Sequence, residues 1–382
     1  MVDQESKVLV REKLNKQVGL VVGTRPSIVL FAPIIHELRK RNISHFIVHT
    51  GQHYSPNMGL QFFKDLNLPE PDYKIEGVAD KTTHGGQTAV MLEGVESVLM
   101  EEQPTLFLVG GDANTNLAGA LAARKLRIQV GHVEAGERSF DWRMPEEHNR
   151  RIIDHISEHL FVTGEKGKKH LLTESVQGEI YITGNPKVDA SLQHLRVAKE
   201  TSKALEEFGL TSNEYAILTT HREENVDFPE LLRDELEGIS QASQKYHFPV
   251  LFLAHPRTIK RLHEFGFWEW VNRLPGLDVQ PGVGYLDFIN LLAHARLVFT
   301  DSGGVQQEAA IHQVPAITLR NNTEWIETLE TGANRLAGTD PDRIVAATEE
   351  ALSVECEWSI PFGDGKAAKK IVGIVEKILE RN

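Results

Sequence analysis

Short apolar runs, each closed by a glycine-rich or polar turn and followed by helical spacing, repeat along the whole chain. The runs are Val18–Val22, His45–His49, Leu106–Val109, Ile128–Val133, Leu160–Val162 and Ile180–Ile182, then Ala216–Leu218, Val250–Leu253, Leu277–Val279, Leu297–Phe299 and Ala316–Leu319. Runs this short and this rich in Val, Ile, Leu and Phe suit strands covered on both faces. Between them, Pro33–Arg41, Thr88–Glu102 and Leu231–Tyr246 carry helical spacing. Such alternation leads to parallel sheets wound by right-handed crossovers. The 382 residues suit two domains. The break falls just after Gly184-Asn185-Pro186, ahead of an expected polar helix over Leu192–Glu207 and a fresh strand series from Ala216. The expectation is an α/β protein of two doubly wound parallel-sheet domains, residues 1–185 and 186–365, facing a central cleft. The last helix, Lys366–Leu379, can pack on either.

The net charge of −13 argues against a general nucleic-acid or anionic-membrane surface, while leaving a small anionic ligand open. One cysteine, Cys356, cannot form an internal disulfide, which suits a reducing cytoplasm. The best apolar run, near Val18, is broken by Arg25 and Pro26, so no membrane helix is expected. The first 17 residues mix Asp3, Glu5, Lys7, Arg11 and Glu12 and lack the apolar core of a signal peptide. The expectation is a soluble, cytoplasmic protein without nucleic-acid or membrane partners. None of the 17 histidines falls in H-E-x-x-H and there is no cysteine cluster, so no metal site is expected.

Chemistry concentrates where the runs end. Over Gly131–Arg150, a strand is expected to end at Glu134 and a helix to begin at Pro145, with Glu146 and Glu147 in its first turn. Acids in a first turn suit the helix dipole, but an acid at a strand's carboxyl end stands where open α/β sheets place ligands. Two carboxylates in one crevice can serve as acid and base on a neutral substrate. Gly23-Thr24-Arg25-Pro26 follows the first run; Arg25 points either into the cleft or to the surface. Gly110-Gly111-Asp112 opens another helix, with Asp112 either an N-cap or a site acid. Thr220-His221-Arg222 ends the first run of the second half, as a phosphate clamp or a charged loop, and His255-Pro256-Arg257 is equally open. Thr300-Asp301-Ser302-Gly303-Gly304 turns from strand to helix and exposes amides, an anion site by geometry and dipole. Glu308, about a turn further, either takes both hydroxyls of a ribose, as acids do in other nucleotide sites, or is a helical surface acid. The dinucleotide fingerprint, the P-loop and the hydrolase nucleophile elbow are all absent.

In this order, the motifs G-T-R-P, G-Q-H-Y, G-G-D-A-N-T-N, H-V-E-A-G, M-P-E-E-H-N-R, G-N-P-x-V-D-A, T-H-R-E-E-N, Y-L-D-F, T-D-S-G-G-V-Q-Q-E and T-E-W-I-E-T resemble the UDP-N-acetylglucosamine 2-epimerase family. The resemblance runs from about Val18 to the end. It implies two Rossmann-like domains of the kind seen in two-domain (B-type) glycosyltransferases. It further implies a C-terminal helix, about 366–382, returning to the first domain, and a homodimer. The implied activity interconverts UDP-N-acetylglucosamine and UDP-N-acetylmannosamine without metal or nicotinamide cofactor. Asp112, Glu134 and Glu146 match the family's catalytic carboxylates and His221 its catalytic histidine. Arg25, Ser302, Gly303, Gly304 and Glu308 match its UDP-binding positions.

The chemistry of such a substrate explains the need for several acids. The C2 proton of an N-acetylhexosamine has no carbonyl neighbour and is not acidic. Breaking the anomeric C1–O bond first leaves an oxocarbenium-like centre that acidifies it. A carboxylate then removes the proton, giving a 2-acetamidoglucal with UDP still bound; re-addition with the proton on the opposite face gives the epimer. Groups are needed above and below the ring.

The chain departs from the family pattern at several positions. Ser27 and Leu30 stand where most relatives carry Glu and Lys in G-T-R-P-E-x-x-K, which bears on rate and substrate. Ser55, in Gln52-His53-Tyr54-Ser55, stands where members activated by a second substrate molecule have Gln, so that regulation is not carried over. Thr323-Glu324-Trp325 replaces T-E-R, a form also similar to enzymes that epimerise UDP-2,3-diacetamido-glucuronate. A hydrolysing variant releasing UDP and free sugar is a further alternative.

Overall fold

The structure, a computed structural model, describes residues 17–52, 63–64 and 66–381. The readings made on the N-terminal segment through residue 16 and on His53, Tyr54 and Ser55 lie outside the described residues. The chain forms two units, one running to Thr183 and taking in the chain from Ala368, the other spanning Gly184–Ala367.

The first unit is built on seven parallel strands: β1 (Val18–Val22), β2 (His45–His49), β3 (Tyr73–Lys74), β4 (Leu106–Gly110), β5 (Gln129–Ala135), β6 (His159–Val162) and β7 (Glu179–Ile182). They lie in the order β3-β2-β1-β4-β5-β6-β7. Leu20 of β1 sits between Ile47 of β2 and Leu108 of β4. Both strands flanking that junction, β1 and β4, are buried at every residue, which explains their unbroken apolar runs. The edge strand β7 is largely solvated. The core on one face joins Val21, Phe46, Val48, Phe107 and Val109 to the helices His84–Glu102 and Asn114–Lys125. The helix Ala367–Arg381 belongs to this unit; Arg41 pairs with Glu376 at 2.5 Å and donates to the Lys369 carbonyl at 3.1 Å.

The second unit has six parallel strands: β8 (Ala216–Thr219), β9 (Val250–Ala254), β10 (Leu277–Pro281), β11 (Leu297–Thr300), β12 (Ala316–Thr318) and β13 (Asn334–Leu336), in the order β10-β9-β8-β11-β12-β13. Leu218, Phe252, Phe299 and Leu319 anchor its core. In both sheets the strand order reverses once, between β1 and β4 and between β8 and β11. Such a switch point is where open α/β sheets bind ligands, outside the strands' carboxyl ends.

Helices extend beyond their apolar cores wherever a cap is available. The helix expected from Pro33 begins at Arg25, because Thr24 and Ser27 form a reciprocal capping box and Pro26 fits the first turn. The polar helix expected over Leu192–Glu207 is two helices, Pro186–Thr201 and Ala204–Glu207. It starts early because Asn185 caps it, and it breaks where the Ser202 hydroxyl donates to Asp287 at 2.6 Å. β3 and β13 escape a sequence reading because they are two and three residues long. Among the described residues, no helix is long and apolar enough to cross a membrane.

Candidate active site

The candidate residues of the first unit gather at its switch point. After β4, Gly111 adopts a left-handed φ of 81° and turns the chain into Asp112. Asp112 is not an N-cap. The helix begins at Asn114 with Ala113 in the capping position, and Asp112 is instead held by Arg150, whose Nε and Nη2 lie 3.0 and 2.6 Å from Oδ2. The Asp112 carbonyl accepts from Asn149 Nδ2 at 2.8 Å. Two residues of one helix thus tie it to this turn.

Glu134 does not end its strand as expected. It interrupts it: the β5–β6 register shifts between Val133 and Ala135, and Glu134 takes a left-handed φ of 66°. A non-glycine residue held there costs on the order of 1–3 kcal/mol, and such outliers cluster at functional sites. The bulge re-aims the side chain. Its Oε2 lies 3.5 Å from where a β-carbon on Gly111 would be, so the carboxylate rests against the turn that carries Asp112.

The adjacent glutamates divide their work. Glu147 is fully buried and accepts from the Ser139 amide (2.9 Å) and hydroxyl (3.1 Å), Arg150 Nη1 (3.1 Å) and Arg151 Nε (3.1 Å). Burial alone would raise its pKa, but the Ser139 and Arg150 contacts outweigh it and hold the carboxyl below its ordinary range. Glu146 is half-buried and makes no hydrogen bond or ion pair with any described residue. Glu147 and Arg150 therefore scaffold this segment, and Glu146 is left available.

Beneath the acids runs a charge network not anticipated from sequence. His132 Nδ1 lies 2.7 Å from Asp154 Oδ1, and its Nε2 lies 3.0 Å from the Gly111 carbonyl. Asp154 Oδ2 also takes Arg138 Nη2 at 2.7 Å and the Gly136 amide at 3.2 Å. Arg138 and Arg151 then converge on Glu174. Arg25, exposed, opens the helix after β1. Ser27 closes the turn ahead of that helix: its Oγ accepts from the Gly23 and Thr24 amides at 3.1 Å each. Leu30 is buried, and a β-carbon on Gly110 would meet its Cδ2 at 2.7 Å, so this position packs beneath β4's end.

The second unit gathers its candidates at its own switch point. Asp301, buried after β11, binds the end of β8: its Oδ2 accepts from the His221 and Arg222 amides at 2.7 Å each and from Thr220 Oγ1 at 3.0 Å. The His221 ring Nδ1 lies 3.0 Å from Oδ1. Burial opposes ionisation of Asp301, but these partners outweigh it and keep the carboxyl below its ordinary range. Asp301 thereby orients His221, a role the sequence did not disclose. Arg222 Nη2 lies 3.7 Å from Glu324. Arg257, by contrast, lies in the first turn of the helix Pro256–Glu264, which His255 caps, and its guanidinium pairs with Asp227 (2.7 Å) and Glu223 (2.8 Å) within the unit.

Ser302 caps the helix Gly303–Ile311 without a side-chain hydrogen bond to its amides, which leaves the first turn open to an anion. A side chain at Gly303 would strike Glu324 Oε1, 2.2 Å from its β-carbon. Gly304 is exposed. Glu308 accepts from the Tyr285 hydroxyl at 3.2 Å on Oε1, and burial pushes its pKa up to about 7. Trp325, where relatives carry Arg, stacks edge-on against Phe362 inside the unit.

The sequence model of the UDP-N-acetylglucosamine 2-epimerase family matches residues 36–376. The chain belongs to this family. It is 46% identical over 362 residues to the UDP-N-acetylglucosamine 2-epimerase of Methanocaldococcus jannaschii, covering 94% of this chain and 98% of that one. The crystal structure of the M. jannaschii enzyme in complex with UDP-GlcNAc and UDP superposes with a TM-score of 0.83, covering 94% of this chain and 99% of that one. A second relative, the UDP-2,3-diacetamido-2,3-dideoxy-D-glucuronate 2-epimerase of Pseudomonas aeruginosa, is 36% identical over 365 residues, covering 94% of this chain and 99% of that one. The family members are epimerases, which places the chain among isomerases.

Proposed function

We propose that the protein is a non-hydrolysing UDP-N-acetylglucosamine 2-epimerase, a cytoplasmic homodimer that eliminates UDP to a 2-acetamidoglucal and re-adds it. Asp112, Glu134 and Glu146 carry the acid-base work, and Asp112 and Glu134 meeting on one turn at a switch point is the observation that carries the reading. Holding UDP alone requires no such acids. Arg150 fixes Asp112, and the bulge fixes Glu134, so neither has to reorganise as charge develops on the sugar. His221, steadied by Asp301, and Arg222 act on the diphosphate with Arg25. The open first turn at Ser302, Gly303 and Gly304 receives its negative charge, and Glu308 takes the ribose hydroxyls. Incubation with UDP-N-acetylglucosamine followed by NMR tests this: UDP-N-acetylmannosamine is expected. Free N-acetylmannosamine with UDP would establish the hydrolysing variant, a transferred sugar a glycosyltransferase, and unchanged substrate a binding protein. Light scattering at twice the chain mass checks the dimer.

The Thr323-Glu324-Trp325 form favours a second reading, a 2-epimerase for UDP-2,3-diacetamido-glucuronate. Comparing kcat/KM for the two sugars decides between them.

Ribose binding through Glu308 should be pH-dependent. An ionised carboxylate accepts from hydroxyls, so UDP affinity should weaken as pH falls through about 7. Glu308→Ala should cost roughly 1.5–3 kcal/mol in UDP binding, and Glu308→Gln should flatten the pH dependence. Calorimetry giving unchanged affinity for Glu308→Ala would remove Glu308 from the site. Turnover is also expected to survive EDTA, because an arginine and a helix N-terminus suffice for the diphosphate. Loss in EDTA with recovery on adding magnesium would point to a metal-dependent transferase.

A further inference from the structure

The Y-L-D-F motif has no part in the chemistry described so far, yet it meets the acid assigned to the ribose. Tyr285 and Asp287 open the helix Tyr285–Ala293, which follows β10. The Asp287 carboxylate accepts from the Ser202 hydroxyl at 2.6 Å, which fixes this first turn beside the end of the helix Pro186–Thr201. From that helix the buried His194 meets the Tyr285 ring edge-on, with centroids 5.5 Å apart and planes at 83°. Tyr285 is thus held by its ring, and its hydroxyl donates to Glu308 Oε1 at 3.2 Å.

The direction of that bond is fixed. A phenol has one hydrogen to give and a carboxylate only accepts. Burial and the neighbouring Glu308 push the Tyr285 pKa well above its ordinary value, so the hydroxyl keeps its proton and stays a donor. The last torsion of a glutamate side chain has broad wells, so the carboxyl plane is not set by the side chain itself. A donor held on Oε1 sets it. Each carboxylate oxygen has two lone-pair sites, so Oε1 can serve Tyr285 and one ribose hydroxyl while Oε2 serves the other.

We propose that Tyr285 is a positioning residue that turns the Glu308 carboxylate toward the ribose diol, and that the pair gives the site a preference for ribonucleotides over 2′-deoxyribonucleotides. The inference rests on the reading of Glu308 as the ribose acceptor. Tyr285 has a second effect on the same carboxyl. Burial raises the Glu308 pKa, while the Tyr285 hydroxyl and then Lys187, from the helix Pro186–Thr201, act to lower it. The bond therefore also favours the ionised form that a diol requires.

The test is calorimetry of the full chain with UDP and with 2′-deoxy-UDP, on wild type, Tyr285→Phe, Glu308→Ala and the double variant. Phenylalanine keeps the ring against His194 and removes only the hydroxyl. Tyr285→Phe should weaken UDP binding about tenfold, the scale of one hydrogen bond to a charged group. It should weaken 2′-deoxy-UDP less, so that the preference narrows. In the Glu308→Ala background the same change should have no further effect on UDP. The pH profile supplies a readout that ring packing does not move. Without its donor Glu308 ionises at higher pH, so the loss of UDP affinity toward acid should begin at higher pH in Tyr285→Phe than in wild type. Glu308→Gln is the reference, since it retains the titration of the diphosphate alone. Tyr285→Phe with wild-type affinity, preference and pH profile overturns the positioning role, as does an equal loss for both nucleotides. In either case a weakened Glu308→Ala keeps the ribose assignment, whereas Glu308→Ala with unchanged affinity overturns both. A wild type inactive on UDP-N-acetylglucosamine would defeat the proposed function, while the binding measurements would still decide the role of Tyr285.

Discussion

Replacing Asp154 with alanine should destabilise the first unit by about 3 kcal/mol or more, the scale of removing one partner from a buried ion pair. Asp154 and the Arg138 side chain are both wholly buried, 2.7 Å apart, and Asp154 also holds His132 and the Gly136 amide. The variant leaves Arg138 with Glu174 and the Glu137 carbonyl, which keeps the loss toward the lower end of such values. Urea unfolding is the measurement, and a change within about 0.5 kcal/mol, as for an ordinary surface substitution, would mean the network carries no stability. The pH dependence has a definite sign. Burial raises the Asp154 pKa, but His132 and Arg138 outweigh it and leave it lowered in the folded state. Its ionised form therefore stabilises above the unfolded pKa, and that contribution is lost as pH falls through the folded one. The gap between wild type and Asp154→Asn should close in acid. Because His132 passes from Asp154 to the Gly111 carbonyl, turnover should fall even under conditions where the variant stays folded.

The doubly wound fold was legible because strands buried on both faces leave unbroken apolar runs, and Val18–Val22 and Leu106–Val109 need no context to be read. The turns at the strand ends were legible for the same reason: a run that stops at Gly-Gly-Asp or Asp-Ser-Gly-Gly marks both a boundary and a ligand position. The division of labour among charges was not. Arg150 meets Asp112 from 38 residues away, and Asp301 meets His221 from 80, so neither pairing has a local signal. The spacing did hold a clue in E-E-H-N-R-R: Glu147 sits three and four residues before Arg150 and Arg151, the helical ion-pair positions, which marks Glu147 as scaffold and Glu146 as its unpaired neighbour. The bulge at Glu134 has no sequence signature, because the left-handed position carries neither Gly nor Asn. Ser27 departs from the family's Glu, yet it closes the capping box of its helix. Its meaning depends on a backbone contact that a residue-by-residue comparison does not display.

Asp112→Asn, Glu134→Gln and Glu146→Gln should each lower turnover 10²-fold or more, the usual scale for an acid-base group, with UDP affinity nearly unchanged. The affinity should hold because the nucleotide is assigned to the second unit, whose His221–Asp301 and Gly303 geometry these substitutions do not touch. Asp112→Asn has a second consequence: Arg150 loses its ionised partner and retains only Glu147. Its loss should therefore exceed that of Glu146→Gln, since Glu146 supports no neighbour. In deuterated water the wild type should place deuterium at C2 of both epimers, because a carboxylate that removes the C2 proton exchanges it with solvent before returning one to the other face. Epimer formed without label at C2 would rule out proton transfer through these acids, whatever the variants do. Full activity in the Asp112 and Glu134 variants would reduce them to braces of a turn. Leu30 sharpens the outcome, for it packs under Gly110 where relatives carry a lysine. If re-addition is the step that lysine serves, UDP and the 2-acetamidoglucal should accumulate here beside the labelled epimer, and Leu30→Lys should shift the balance toward epimer.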